Sequence, residues 1–401
     1  MIKKKYNCVI LCGGYGSRLA QYTKKTPKPL LEVAGKPFLF YLINNLTRFG
    51  FKRILLLTHY KKELFFEFKK KYFKSFPIKI INEKIKLGTG GSLVAARDNL
   101  DDEFFLLNGD TYFDINILDL KLHQQNKQLI TAACTYKKIS KYSIQKYLRK
   151  SKIINLKKNR KNKKNLVFGG IYFIKKKLLA NYKVKALDLD KDIIFPLVKK
   201  KLVNIKTYKK NIFFDIGDSV KDYISSSKKI TEVTNKPCCF LDRDGVLNID
   251  TGYVYKINNF KWKQNIFKAI KFLNDNNYYV IVITNQAGIA HGYFKEQDVE
   301  NLHNYINAKL FEKGAHIDKF YYCPFHEQAK VLKYKKKTNY RKPGNGMLLQ
   351  ALKDFKIKKN QSFFIGDQKS DEICAKKTNV KFQFAKSSIL NIVKKNFYEN
   401  K

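Results

Sequence analysis

Residues 240–248 read FLDRDGVLN, and this stretch decides the fold expected for the second half of the chain. The apolar run Cys238–Leu241 is typical of a buried strand. Asp242 and Asp244 follow at its end, two residues apart, and Gly245 indicates a turn. One carboxylate can then face a ligand while the next bends away. This pattern suits an aspartate nucleophile with an acid/base partner on one bound metal ion, and the alternative is an ordinary strand and Asp-Gly turn.

Three further polar groups lie downstream, each next to a predicted strand or helix. Thr284 and Asn285 end the predicted strand Tyr278–Ile283, where a hydroxyl and an amide can donate to a phosphate. The pair Arg341-Lys342 precedes a predicted helix, and the string GDQKSD at 366–371 follows another strand. Ligands of open α/β sheets bind outside the carboxyl ends of the strands, so these groups are expected at one site.

In this order, the strings FLDRDGVLN, ITNQAGIAHGYF, CPFH, RKPGNGM and IGDQKSDEICA resemble the haloacid-dehalogenase-like phosphatases. The heptose-1,7-bisphosphate 7-phosphatases, with the related histidinol phosphatases, are the members most similar. The resemblance covers about residues 236–390 and implies a Rossmannoid domain. It implies that Asp242 is the nucleophile and that Asp244 is the general acid and base. It also implies a Mg²⁺ site held by Asp242, Asp367 and the main-chain carbonyl of Asp244.

The same resemblance implies how substrate is held. Thr284, Asn285 and Lys342 would bind the phosphoryl oxygens, and Arg341 would contact the distal part of the substrate. These phosphatases often carry a structural zinc on a Cys-x-His and a Cys-x-Cys loop. Cys323 and His326 are present, but Thr338 and Tyr340 stand where the second pair aligns. Two ligands do not close a tetrahedral site, so zinc is not expected.

The first half of the chain begins with a buried strand predicted at Tyr6–Cys12, followed by the string GGYGSRL. Glycines let backbone N–H groups approach a phosphate closely, and Arg18 adds a forked cation. Pro27 and Pro29 are expected to hold Lys28 in a stiff extended segment, where its ammonium can meet a phosphate. A second glycine string, LGTGGS at 87–92, is expected to open a helix at Leu93–Asn99, and the predicted strand Glu103–Leu107 leads to Asp110, a natural Mg²⁺ ligand.

The strings LCGGYGSRL, TPKPLLEVAGKP, LGTGGSL and NGD resemble the sugar-1-phosphate nucleotidyltransferase family over about residues 5–230, especially members that make GDP-D-glycero-D-manno-heptose. The resemblance implies a Rossmann-like domain that transfers a nucleotidyl group from an NTP to a sugar 1-phosphate. It implies that the NTP phosphates are held by Gly13, Gly14, Gly16 and Arg18. Lys28 would stabilise the reacting α-phosphate, and Gly88 and Gly91 would shape the base and sugar pocket. Gly170 would lie on a sugar-contacting strand, Lys158 would bind the sugar phosphate, and Asp110 and Asp215 would hold Mg²⁺.

Length and composition favour two domains, which we place at residues 1–232 and 233–401. The polar segment Ser225–Lys236 is expected to be a linker, or a terminal helix and a linker. The net charge of +48 comes from lysines spread over the whole chain, which favours a solvated basic surface over a nucleic-acid site. Seven scattered cysteines, with no predicted signal or membrane segment, favour a soluble cytoplasmic enzyme; homo-oligomerisation stays open.

The two halves together predict one bifunctional enzyme. Its phosphatase would convert heptose 1,7-bisphosphate to heptose 1-phosphate, and its guanylyltransferase would use GTP to make GDP-heptose for surface glycans such as lipopolysaccharide. The main competing hypothesis is a hexose-1-phosphate nucleotidyltransferase fused to a histidinol-phosphate-like phosphatase. Two further hypotheses are a nucleic-acid-binding protein and an enzyme in which one half is degenerate and kept as a scaffold.

Overall fold

The computed structural model describes residues 6–138, 164–217 and 219–400. The chain forms two compact units, of which the first ends at Val233 and the second begins at Thr234. The polar segment before the second unit is helical up to Thr234, as expected for a terminal helix. No helix in the described ranges has the length and apolarity needed to cross a membrane.

A mixed sheet of seven strands forms the centre of the first unit. Its strands are β1 (Asn7–Leu11), β4 (Arg53–Thr58), β5 (Ile78–Asn82), β6 (Glu103–Asn108), β8 (Ile130–Lys138), β9 (Lys164–Lys175) and β10 (Val203–Thr207), in the spatial order β10-β8-β9-β6-β1-β4-β5. Two small antiparallel pairs accompany it: β2 (Glu32–Val33) with β3 (Lys36–Pro37), and β7 (Thr111–Phe113) with β11 (Phe213–Asp215). Strands β1, β4, β5 and β6 are parallel, so their carboxyl ends share one edge.

The helices of the first unit alternate with these strands. They are α1 (Ala20–Thr23), α2 (Phe38–Thr47), α3 (Lys62–Tyr72), α4 (Gly88–Ala95), α5 (Leu118–Leu122), a π-helix (Leu189–Ile194), α6 (Phe195–Lys199) and α7 (Val220–Thr234). The core between sheet and helices is apolar and closely packed, with Val9, Leu93 and Phe104 fully buried. This burial of apolar surface is the main source of the unit's stability.

The prediction for α4 was wrong at both ends. The helix begins at Gly88 instead of Leu93 and ends at Ala95, followed by a 3-10 turn. The reason is a long-range contact: the N–H groups of Gly90 and Gly91 donate to the carbonyl of Leu187 at 2.9 and 3.2 Å. A Cβ on Gly91 would lie 2.2 Å from the carbonyl oxygen of Lys185, so the glycines allow two backbones to touch.

The second unit has a five-stranded, fully parallel sheet. The strands are β12 (Cys238–Leu241), β13 (Tyr279–Asn285), β14 (Lys319–Cys323), β15 (Phe363–Gly366) and β16 (Lys381–Phe384), in the spatial order β14-β13-β12-β15-β16. The helices are α8 (Ile266–Asp275), α9 (Glu296–Glu312), α10 (Gly346–Asp354), α11 (Lys369–Lys376) and α12 (Ile389–Glu399). Separate apolar clusters cover the two faces, which explains why β12 is wholly buried.

This strand order determines where the candidate site of the second unit lies. The central strand β12 lies between β13 and β15, and the chain order reverses there. The residues that leave the carboxyl ends of these three strands therefore meet at one edge of the sheet. They are Asp242 after β12, Thr284 and Asn285 at the end of β13, and Asp367 after β15.

Candidate active sites

The centre of the second unit's site is a buried lysine between two carboxylates. Lys342 Nζ lies 2.8 Å from Asp242 Oδ2 and 2.6 Å from Asp371 Oδ1, and its side chain is only 2% exposed. Asn285 holds the lysine's backbone, since its Oδ1 accepts from the Lys342 N–H and its Nδ2 donates to the Lys342 carbonyl, both at 3.0 Å. The ammonium is therefore fixed beside Asp242, where it can neutralise the oxygens of a phosphoryl group.

Three carboxylates at this edge suit a divalent cation. Oxygens of Asp242, Asp367 and Asp371 all lie within 4.8 Å of one another. Asp367 Oδ1 is buried and has no hydrogen-bond partner among the described residues. Burial, with Asp371 and Asp244 adding to it against the opposing Lys342, raises the pKa of Asp242 to about 7. Burial thus disfavours a charge on Asp242, which a bound divalent cation would offset, and hard oxygen ligands of this kind fit Mg²⁺.

Gly245 makes room for this cluster. Its φ is +76°, and a Cβ built on it would lie 2.1 Å from Asp367 Oδ2. The turn that the Asp-Gly pair predicted therefore also packs closely against the carboxylate of Asp367. Any side chain at this position would both strain the backbone and displace Asp367.

The carboxylate of Asp244 is surrounded by hydrogen-bond donors. Arg243 Nη2, from a fully buried arginine, lies 2.8 Å from Asp244 Oδ2. The side-chain amide groups of Asn248 and Gln286 donate to the two carboxylate oxygens at 3.0 and 3.1 Å. Gln286 also donates to Thr284 Oγ1 at 2.9 Å, so it couples the predicted acid to the predicted phosphate ligand.

The remaining predicted residues of this unit lie at the end of β14 and on loops. Arg341 is half-buried, and burial lowers the pKa of its guanidinium. Cys323 is buried, with Sγ 3.9 Å from the carbonyl oxygen of Phe325, and His326 Nδ1 accepts from the Gln328 N–H at 3.1 Å. The absence of zinc stays a prediction.

The candidate site of the first unit consists of two adjoining cavities that share Lys28, Asn108 and Asp110. One cavity, of about 200 Å³, is lined by residues that include Gly13, Gly14, Glu83, Gly88 and Thr89. The other, of about 190 Å³, is lined by residues that include Arg18, Thr111, Lys137, Gly170, Tyr172, Asp190 and Asp215. We call the first the nucleotide cavity and the second the acceptor cavity. Arg18, predicted to hold NTP phosphates, lines the acceptor cavity, and that role stays a prediction.

Two predicted glycines are not among the described residues that line these cavities. Gly16 turns with φ +67° against Thr23, whose hydroxyl donates to the Gly16 carbonyl at 3.1 Å. Gly91 faces Lys185, as described above. Gly91 packs closely against this neighbouring backbone segment, and its role in shaping the base and sugar pocket stays a prediction. Lys158 lies outside the described residues. The extended segment predicted around Lys28 was wrong, because Lys28–Leu30 forms a 3-10 turn whose first residues tolerate proline.

The two aspartates predicted to bind metal meet across one threonine. Thr111 Oγ1 donates to Asp215 Oδ1 at 2.6 Å and to Asp110 Oδ1 at 3.2 Å, because strands β7 and β11 pair Thr111 with Asp215. Lys28 Nζ lies 2.5 Å from Asp110 Oδ2, and Lys137 Nζ lies 3.6 Å from Asp215 Oδ2. Burial alone would raise the pKa of Asp110, but the charge and hydrogen bond of Lys28, with Thr111, lower it overall.

These contacts hold two carboxylates and two cations together at the acceptor cavity. The carboxylates fit Mg²⁺, and the cations fit phosphate oxygens. The arrangement can therefore bind a polyphosphate with its metal ion and stabilise the charge of a phosphoryl transfer.

The sequence assigned no role to several residues at these sites, among them Glu83, Asp190, Gln286 and Asp371. Asp371 belongs to the string GDQKSD, and its position in the first turn of α11, four residues after Asp367, was the available signal. Gln286 follows Asn285 directly in the quoted string ITNQ. Glu83 directly follows β5 at the carboxyl edge of the sheet, which was its available signal, whereas long-range packing brings Asp190 to its cavity.

Comparison with known proteins agrees with this division. A family model described as nucleotidyl transferase matches residues 7–233, more than half of the chain, and one described as polynucleotide kinase 3 phosphatase matches residues 240–393.

Individual relatives match each unit. The D-glycero-beta-D-manno-heptose-1,7-bisphosphate 7-phosphatase of Haemophilus influenzae is 45% identical over 132 residues, which cover 33% of this chain and 71% of that protein. The enzyme of the same name from Haemophilus ducreyi is 42% identical over 147 residues, 36% of this chain and 80% of that protein. The crystal structure of HddC from Yersinia pseudotuberculosis has 24% identity and a TM-score of 0.45, covering 56% of this chain and 99% of that chain.

The two matched regions lie in the two compact units, and each contains one of the charged sites described above. The chain therefore belongs to the nucleotidyl transferase family and joins to it, in one polypeptide, a haloacid-dehalogenase-like phosphatase of the family to which the two Haemophilus enzymes belong.

Proposed function

We propose that the chain catalyses two consecutive steps on one sugar. The second unit removes the C7 phosphate of D-glycero-D-manno-heptose 1,7-bisphosphate, and the first unit transfers GMP from GTP to the heptose 1-phosphate that results. The observation that carries the proposal is the pairing itself: a unit 45% identical to a heptose-bisphosphate phosphatase is fused to a nucleotidyl transferase. The product of the one reaction is a sugar 1-phosphate, the acceptor class of the other.

In the phosphatase unit, Asp242 attacks the phosphorus in line and the bond to the C7 oxygen breaks. Asp244 gives that oxygen its proton, and the same residue later takes a proton from the water that hydrolyses the phosphoaspartate. The hydrogen bonds from Gln286 and Asn248 orient the carboxylate of Asp244. Lys342 balances phosphoryl charge throughout.

Magnesium in this unit would be held by carboxylates of Asp242, Asp367 and Asp371 and the Asp244 carbonyl, and it would supply charge neutralisation for the phosphoryl group. Thr284 and Asn285 complete the phosphate site, Thr284 through its hydroxyl and Asn285 through its hold on Lys342. Arg341 lies on the same loop as Lys342 and contacts the distal part of the sugar.

In the transferase unit, a phosphate oxygen of the sugar 1-phosphate attacks the α-phosphorus of the NTP and pyrophosphate leaves. Arg18 and the loop of Gly13 and Gly14 hold the NTP phosphates, and Lys28 stabilises the charge on the α-phosphate. Asp110 and Asp215 would hold Mg²⁺, whose contribution is to neutralise the triphosphate.

Glu83 supports the choice of GTP. Its Oε2 accepts from the Leu87 N–H at 3.1 Å, whereas its Oε1 is buried and has no hydrogen-bond partner among the described residues. Glu83 lines the nucleotide cavity, near Gly13. Guanine presents two adjacent donors, N1–H and the N2 amino group, and a carboxylate accepts from both. Cytosine and adenine place a ring acceptor beside their amino group, which a carboxylate repels.

One reaction mixture tests the proposal. Full-length protein is incubated with Mg²⁺, GTP and heptose 1,7-bisphosphate, and the products are identified by mass spectrometry. GDP-heptose is the expected product. Heptose 1-phosphate alone would refute the choice of GTP and leave the phosphatase assignment standing. If neither compound forms, the heptose assignment is wrong, and the hypothesis of hexose 1-phosphate and histidinol phosphate as substrates is tested next.

A further inference from the structure

We propose that Asp190, on the wall of the acceptor cavity, binds hydroxyl groups of the sugar 1-phosphate and so determines which acceptors the first unit uses. The inference rests on the proposed transferase function and deepens it, because it names a residue that contacts the sugar part of the acceptor and not its phosphate. It is carried by the position of Asp190 in the cavity, by its hydrogen bonds and by the charges around it.

Asp190 is not needed to hold its own helical turn together. It is the second residue of the π-helix Leu189–Ile194, and the start of that turn is capped by other carboxylates. Asp188 Oδ1 accepts from the Lys191 N–H at 2.9 Å, and Asp192 Oδ2 accepts from the Asp188 N–H at 2.7 Å. The backbone is thus set by its neighbours, and the side chain of Asp190 is left to line the cavity.

The hydrogen-bonding capacity of Asp190 is mostly unused. Tyr172, only 1% exposed on β9, donates its hydroxyl to Asp190 Oδ1 at 3.4 Å. Within the described ranges, no other side chain donates to this carboxylate. A carboxylate has about four acceptor positions, and one that is half-buried beside a cavity gains most from donors that a ligand brings. Sugar hydroxyls are such donors.

The charges in the acceptor cavity indicate how a sugar 1-phosphate is oriented in it. Two of its cations, Lys28 and Lys137, lie beside Asp110 and Asp215, where a phosphate and its metal would bind. Asp190 contacts Tyr172, whose ring packs on Phe168 with centroids 5.8 Å apart, and no ion pair joins Asp190 to a cation among the described residues. A carboxylate repels a phosphate but accepts from hydroxyls, so the sugar ring points toward Asp190.

The same surroundings predict a pH dependence. Burial, and next the charge of Asp188, raise the pKa of Asp190 to about 6, while the Tyr172 hydrogen bond opposes them. The Cys134 thiol on β8 also faces it, and burial raises the pKa of this thiol well above its usual range, so it stays neutral. Since the ionised carboxylate is the better acceptor, KM for the sugar 1-phosphate is expected to rise as the pH falls through 6.

The experiment compares wild type with Asp190→Asn in the full chain, using GTP and heptose 1-phosphate at pH 8. Because a hydrogen bond to a charged group is lost, KM for the sugar phosphate should rise about 10- to 100-fold while KM for GTP is unchanged. Deoxy analogues of the sugar phosphate locate the contact, since the variant should lose nothing further with the analogue that lacks the bound hydroxyl. Between pH 8 and 5.5, only wild type should show the extra rise in KM.

Asp188→Asn is the matched control, because Asp188 lies on the same turn but is not among the residues that line the cavity. It should leave KM at pH 8 unchanged and move the inflection of the wild-type profile to lower pH. Equal losses for GTP and sugar phosphate in Asp190→Asn, or equal losses with every deoxy analogue, would overturn the inference.

The outcome for the proposed function is separate. If wild type rejects heptose 1-phosphate, that function fails, and the same comparison is made with the sugar 1-phosphate and NTP that wild type does accept. If it transfers to no sugar 1-phosphate at all, both the proposed transferase function and the role of Asp190 are refuted.

Discussion

Replacing Gly245 with alanine tests whether Asp367 is held in place by the turn that follows Asp242. The new Cβ would lie 2.1 Å from Asp367 Oδ2, whereas ordinary contact begins at 3.4 Å, so the carboxylate must move by about 1.3 Å. A displacement of about 1 Å in a catalytic arrangement can cost about 100-fold in rate. We therefore expect Gly245→Ala to lower kcat/KM for phosphate release about 100-fold and to raise the Mg²⁺ concentration required.

The change also strains the backbone, and Gly252→Ala isolates that contribution. Gly252 has φ +79°, close to the +76° of Gly245, but no atom lies within 4 Å of the Cβ it would gain. Both variants should lose about 1–2 kcal/mol of stability from the left-handed conformation. Only Gly245→Ala should also lose phosphatase activity.

The assay measures phosphate released from heptose 1,7-bisphosphate over a Mg²⁺ titration, alongside guanylyl transfer to supplied heptose 1-phosphate. The transfer activity shows that each variant is folded in its first unit, and thermal melting reports on the second. Equal phosphatase activity in Gly245→Ala and Gly252→Ala would refute the steric argument, and with it the claim that Asp367 is positioned by this turn.

Three further predictions concern the individual sites. Asp242→Asn should abolish phosphate release, because the nucleophile is gone, and leave guanylyl transfer intact; loss of both activities in a folded protein would contradict separate sites. Glu83→Gln should reduce the preference for GTP over ATP about 10-fold, since a charged acceptor for guanine is lost; an unchanged ratio of kcat/KM values would exclude Glu83 from base selection. Chelation of divalent metal should stop phosphate release yet shift the second unit's melting temperature by less than about 2 °C, because Lys342 already pairs with Asp242 and Asp371; a large shift would contradict this.

The sequence predicted those site residues that follow directly from local patterns. Apolar runs ending in polar residues located β12, β13 and β15, and the carboxyl ends of parallel strands bring Asp242, Thr284 and Asp367 to one edge. This inference needs only the strand positions and the rule for parallel sheets. The roles of these residues in catalysis stay predictions.

What the sequence did not predict depends on contacts between distant segments. The start of α4 moved to Gly88 because Leu187, about a hundred residues later, accepts the hydrogen bonds of its glycines. Asp190 enters the acceptor cavity for a related reason, since its turn directly follows that segment. Neither contact has a local signature, because each depends on how the backbone of a later segment packs beside α4.

The ammonium of Lys342 also bears on how the enzyme matures in the cell. Because it is an internal counter-ion for Asp242 and Asp371, the newly made phosphatase unit can complete its fold before any metal arrives. Domains closed by a structural metal differ, since for them metal supply and folding are one event. Magnesium here would act as a loosely exchanging activator, and its concentration would set how fast the sugar is processed without changing how much folded enzyme is present.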